Sequence, residues 1–207
     1  MTAVPLHVGI DIDGVLADYM GGVASVGRWL GLPMEGAGAG PTTYDLVEPG
    51  WFPDAQAASE AMRSLADGGL GTLSLLDTGA PAAIRAMRAA GHRVDIVTAR
   101  HPGRRLRRRP QGLPHELAFR GIQDTLGWLD EHGIERDEAH FVRTKSVVGC
   151  DIYLDDAPHN IEEIRGAGRA AVVLDSTYNR HVDGPRVRTV SEFADLVLEG
   201  EILGRTA

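Results

Sequence analysis

The 207-residue chain has little cysteine (one), lysine (one) or aromatic side chain (5%). A lone Cys150 excludes an intramolecular disulfide, so no covalent staple holds the fold. No apolar run approaches the roughly 20 residues that a bilayer-spanning helix needs. Positive charge is also in deficit: 21 basic against 29 acidic residues leave −8 with histidines neutral, so the molecule as a whole repels a nucleic acid backbone. The opening MTAVPLHVGIDIDG has no basic region leading into a long apolar stretch, and no secretory signal is read there. These absences predict a cytoplasmic protein with neither a membrane nor a long nucleic acid as partner. Its 43% hydrophobic and 24% charged residues suit a globular domain with a sizeable core.

Apolar, β-rich runs at 6–12, 93–98, 139–142, 151–154 and 170–174 alternate with helix-like segments at 81–90, 117–132, 161–167 and 191–198. That alternation predicts an α/β fold, a Rossmann-like parallel sheet with helices on both faces. The helices close at glycine, and Ser191 is a candidate N-cap for the last. About 60 residues separate the first strand from LLDTGAP, where about 2 to 6 are usual. Helix-like stretches at 20–30 and 55–66 flank the Gly/Pro-rich GLPMEGAGAGPTTYD, so a small helical cap (residues 18–77) is expected to interrupt a core formed by 1–17 and 78–207.

The sharpest feature is VGIDIDGVLAD. Were the strand to continue, Asp11 and Asp13 would share a face. Acidic groups at the end of an apolar strand are costly without a cation or donors. CDIYLDDAPHN places Asp155 and Asp156 at the end of another apolar strand, so four carboxylates reach one edge of the sheet. Such a cluster calls for a Mg²⁺-like ion and a cationic side chain. A solvated strand end feeding a turn is the structural alternative for the first pair.

In chain order, Asp-x-Asp-Gly after strand one, Thr98 ending VDIVT, Lys145 in RTKS and the Asp155-Asp156 pair resemble the haloacid dehalogenase superfamily of phosphohydrolases. DIDGVLADY, HFVRTKSVVGCDIYLDD and TYNRHV are similar to its 5′(3′)-deoxyribonucleotidase branch. The resemblance covers most of the chain but is thin in the cap and over 101–114. It also departs after Thr98, where Ala99-Arg100-His101 stands in place of a Ser-Pro type sequence.

What the resemblance implies is a Mg²⁺-dependent phosphomonoesterase acting on a small phosphate ester. Asp11 would be the nucleophile and Asp13 the general acid and base. The metal would be held by Asp11, the backbone carbonyl of Asp13 and the Asp155-Asp156 pair, with Asp156 the direct ligand and Asp155 the helper. Thr98 and Lys145 would bind the phosphoryl group, and Asn160 would support the pair. Ala99, Arg100 and His101 are candidates for substrate contact, and His159 is more simply structural. Tyr44 and Trp51, with Trp29 and Phe52, are the cap aromatics on which a base could stack, although a cap core needs the same residues. The basic run Arg104 to Arg109 reads as a solvated loop or as an anion attractor. A nucleoside monophosphate-like substrate is expected. A sugar or specialised-metabolite phosphate, and a catalytically idle ligand-binding domain, are the alternatives.

Overall fold

The computed structural model describes residues 4–100 and 120–200. His101, the Arg104 to Arg109 run and the expected start of the 117–132 helix lie outside them. The elements follow in the order β1 (His7–Ile10), α1 (Tyr19–Trp29), α2 (Ala55–Ala66), α3 (Ala80–Ala89), β2 (Arg93–Thr98), α4 (Arg120–Glu131), β3 (Ala139–Phe141), β4 (Ile152–Asp155), α5 (Pro158–Gly166), β5 (Ala170–Leu174), β6 (Arg186–Val187) and α6 (Val190–Glu199). The strands form a six-stranded parallel sheet in the order β3-β2-β1-β4-β5-β6. Strand order reverses at β1, and the crevice beyond the strand ends at such a switch point is where open α/β sheets bind ligands. The two-residue β6 was not anticipated, because it is too short to show a hydrophobic period.

Alternate strand residues face opposite layers. Val8, Ile10, Val94, Ile96, Ile152 and Leu154 enter the larger core with Ile84, Met87, Trp128 and Phe193. Val97, Tyr153 and Val173 pack with Ile161 and Ile164 in the smaller one. Both faces are therefore covered, which is why the strands read as nearly continuous apolar runs. Among the described residues no helix is long and apolar enough to cross a membrane.

Two sequence expectations need correction. β1 ends at Ile10 rather than running to residue 12, because the chain turns after Asp11, with the N–H groups of Leu16 and Ala17 closing on Ile12 O. The last helix is capped by Thr189, whose hydroxyl accepts the Glu192 N–H at 3.0 Å, and not by Ser191. Starting earlier buries Val190, and Ser191 instead donates its hydroxyl to Asp77 at 2.9 Å.

The insert between β1 and α3 contributes α1 and α2, which pack on each other. It has no separate core: Val23, Leu46, Trp51, Phe52 and Leu65 belong to the same cluster as Val8 and Ile10.

Asp95 on β2 is fully buried beside three basic side chains. Its Oδ2 lies 2.7 Å from His7 Nε2, 3.0 Å from His140 Nε2 and 3.0 Å from Arg93 Nη2. Burial alone would push this carboxyl up, but hydrogen bonds from Arg93, His140 and His7 outweigh burial and hold it below its ordinary value. A folded-state value below the unfolded one (about 3.9) means stability that is present above that pH and is lost as pH falls through the folded value. Asp95→Asn is therefore expected to lower Tm at neutral pH and to flatten the loss of Tm below about pH 4. Thermal unfolding of both proteins across this range checks it, and an acid limb as steep as the parent's would reject it.

Candidate active site

The site is assembled at the C-terminal ends of β1, β2 and β4. The Asp11 N–H still donates to Leu154 O at 3.1 Å, which keeps the start of the β1 loop aligned with β4. The chain then turns sharply: the N–H groups of Leu16 and Ala17 both donate to Ile12 O at 2.8 Å. Gly14 has φ +82°, and a Cβ there would sit 2.3 Å from Asp156 Oδ2, so glycine is required both for the turn and for the close approach of the pair. Because the strand has ended, Asp11 and Asp13 do not share surroundings as a continued strand would have given them. Asp11 is buried, whereas the Asp13 side chain is 25% exposed.

Lys145, the one lysine of the chain, is buried in the middle of the cluster. Its Nζ lies 2.9 Å from Asp11 Oδ1 and 2.5 Å from Asp155 Oδ2. Its loop is clamped in turn, since the Lys145 N–H donates to Glu163 Oε2 at 3.0 Å and the Tyr153 hydroxyl donates to Lys145 O at 3.1 Å. Burial works against the ammonium charge, but the neighbouring Asp11 and Asp155 prevail and hold Lys145 above its ordinary value. Burial pushes the Asp11 carboxyl up to about 7, with Lys145 opposing and Asp155 and Asp13 adding to the rise. For Asp156 the direction is the same: burial first, then repulsion from Asp155 and Asp11, carry it well above the usual carboxylate range.

The two members of the β4 pair have different partners. Asp155 is saturated, because Oδ2 takes Lys145 while Oδ1 accepts the Ala157 N–H at 3.0 Å and Asn160 Nδ2 at 3.1 Å. Asp156 accepts the Tyr178 hydroxyl on Oδ2, and its backbone carbonyl accepts Asn179 Nδ2 at 2.8 Å. Its Oδ1 is buried with no hydrogen-bond partner, a condition shared among the described side chains only by Trp51 Nε1. An orphaned carboxylate oxygen in a buried acidic cluster is expensive unless something positive completes it. Carboxylate oxygens of Asp11, Asp155 and Asp156 lie within 4.8 Å of one another. Hard oxygen donors at this spacing, one of them orphaned, fit a divalent cation.

Thr98 ends β2 and is buried, and its hydroxyl oxygen accepts the Arg100 N–H at 3.1 Å, leaving the O–H free to donate. Ala99 is exposed beside it. Arg100 turns inward: Nε lies 3.0 Å from both oxygens of Asp13, and Nη2 lies 2.6 Å from Oδ1. The cap aromatics separate. Tyr44 is 43% exposed and meets His159 and Tyr178 edge-on at centroid distances of 5.2 and 5.5 Å, next to Asp156. Trp51 and Phe52 are buried in the core, and the Trp51 ring packs on Gly36, so Trp51 is not presented to a ligand as expected. Trp29 is exposed on α1.

Sequence reasoning assigned no role to Tyr178, Asn179 or Glu163. Tyr178 and Asn179 stood inside the TYNRHV segment on which the resemblance rested, but only their contacts with Asp156 reveal them as its supports.

Comparison with known proteins agrees with this geometry. Residues 79–203 match the family described as 5′ nucleotidase, deoxy (Pyrimidine), cytosolic type C protein. A candidate 5′(3′)-deoxyribonucleotidase from Chlorobaculum tepidum is 26% identical over 195 residues, covering 92% of this chain and 89% of that protein. Among solved structures, a predicted phosphatase from Clostridium acetobutylicum superposes with a TM-score of 0.61 at 13% identity, covering 95% of this chain and 100% of the other. A haloacid dehalogenase-like hydrolase from Streptococcus pneumoniae gives 0.54 at 11% identity, covering 93% and 98%. The chain therefore belongs to the 5′ nucleotidase, deoxy (Pyrimidine), cytosolic type C family, and is a nucleotidase-like phosphatase with a haloacid dehalogenase-like fold that takes a small phosphate ester.

Proposed function

We propose that this protein is a Mg²⁺-dependent phosphomonoesterase that hydrolyses a nucleoside monophosphate-like substrate through an aspartyl phosphate on Asp11. The observation that carries the reading is the buried cluster in which Lys145 bridges Asp11 and Asp155 while one oxygen of Asp156 is left without a partner. Asp11, the backbone carbonyl of Asp13 and Asp156 would hold the cation, with Asp155 supporting from behind through Lys145 and Asn160. When bound, Mg²⁺ supplies positive charge that keeps Asp11 ionised and neutralises the phosphoryl oxygens.

The chain's own groups divide the remaining work. Lys145 holds one Asp11 oxygen, which leaves the other to attack phosphorus as the P–O bond to the leaving alkoxide breaks. Asp13 gives its proton to that oxygen, and then removes one from the water that cleaves the acyl phosphate and regenerates Asp11. Lys145, held charged by its neighbours, and the Thr98 O–H meet the charge on the transferred group. Residues 18–77 serve as the cap and 1–17 with 78–207 as the catalytic core, and Tyr44 is the cap side chain placed to stack on a base, worth about 1–3 kcal/mol. The family's description as cytosolic supports a cytoplasmic location.

A panel of 5′- and 3′-nucleotides, sugar phosphates and an aryl phosphate, each with Mg²⁺ and with chelator, tests this. Turnover is expected to collapse in chelator, and the best nucleotide to exceed any sugar phosphate by about 10-fold or more in kcat/KM. A rate indifferent to chelator rejects the metal role. A sugar phosphate that outruns every nucleotide rejects the substrate assignment.

A further inference from the structure

We infer that Arg100 is a positioning residue that acts through Asp13, rather than a contact for substrate. The inference rests on the proposed role of Asp13 and adds to it the group that fixes where that carboxylate points.

Asp13 belongs to the loop after β1, where an isolated bridge to Ala17 fixes its backbone but not its side chain, which is 25% exposed. A carboxylate so placed rotates about two bonds unless something takes both oxygens. Arg100 does this: Nε is 3.0 Å from each oxygen and Nη2 is 2.6 Å from Oδ1, a forked pairing that sets direction as well as distance. The guanidinium is itself immobilised, its side chain being 1% exposed. Its carbon lies 5.7 Å from the ring centroid of Trp128, and Nη1 faces Thr125 Oγ1 at 3.5 Å. Trp128 is buried and donates its indole N–H to Leu73 O at 2.7 Å, while Thr125 donates to Gly121 O at 2.8 Å, so the anchor is the body of α4. At its other end the Arg100 N–H is pinned to Thr98. The Nε–Nη2 edge is spent on Asp13 and Nη1 faces Thr125, which argues against the substrate contact expected from the sequence. Lysine, a single point of charge, would hold one oxygen but leave the other free to turn.

The test is a double-mutant cycle on the full-length protein, measuring phosphate release with Mg²⁺ from the best ester of the panel. Arg100→Gln is expected to lower kcat by about 10- to 100-fold with KM changed by less than about 3-fold, and Arg100→Lys to recover part of the loss. In an Asp13→Asn background, Arg100→Gln is expected to cost less than about 2-fold, since the group it orients is already gone. Effects that multiply instead, or a raised KM with kcat intact, would overturn the inference and place Arg100 on the substrate. Should Arg100→Gln fail to fold, Arg100→Lys carries the same cycle. A parent protein inactive on every ester defeats the proposed function itself, whereas an active parent with multiplying effects defeats only the role of Arg100.

Discussion

Asp11→Asn is expected to abolish phosphate release, lowering kcat by at least about 10⁴-fold, while the protein folds as before. A carboxamide has the shape of the carboxylate but lacks the anionic oxygen that must attack phosphorus. The site tolerates the change structurally. Burial already pushes the Asp11 carboxyl up to about 7, so a neutral group there relieves desolvation, and Lys145 keeps its second partner in Asp155. Phosphate release, circular dichroism and Mg²⁺ titration of the same preparation separate lost chemistry from lost structure. A variant within about 10-fold of the parent would remove Asp11 as nucleophile.

Lys145→Ala is the substitution expected to cost most in stability, about 3–5 kcal/mol in chelator, because it leaves Asp11, Asp155 and Asp156 buried together without the ammonium that pairs with Asp11 and Asp155. Replacement by methionine, Lys145→Met, fills the space and isolates the electrostatic part of the loss from the cavity. Mg²⁺ is expected to return more stability to either variant than to the parent, since it neutralises a larger uncompensated charge. Urea unfolding with and without Mg²⁺ measures both effects. A loss below about 1 kcal/mol would mean that Lys145 does not balance the cluster. Activity is expected to fall with stability, because the same ammonium aims the Asp11 carboxylate.

How far the site was legible can be followed residue by residue. Thr98 at the end of β2 and the Asp155-Asp156 pair closing β4 could be placed because apolar strands announce themselves and their last residues lie on one edge of the sheet. Asp11 was placed for the right reason but with the wrong strand length, since a turn built on Gly14 carries no hydrophobic period. Trp51 and Tyr44 looked equivalent as cap aromatics. One packs on Gly36 in the core and the other stands beside Tyr178 and Asp156, a difference made by loop geometry that composition does not encode.

Residue order by itself determined the chemistry on offer: two acidic pairs and a lone lysine delivered to a shared edge by alternating strands and helices. Only the folded chain decided the pairing. Arg100 meets Asp13 across 87 positions of sequence and Tyr178 meets Asp156 across 22, and Asp156 rather than Asp155 bears an unpartnered oxygen because Lys145, Ala157 and Asn160 occupy both oxygens of Asp155. Strand and helix periods depend on neighbours along the chain, whereas a carboxylate's partners depend on distances through space.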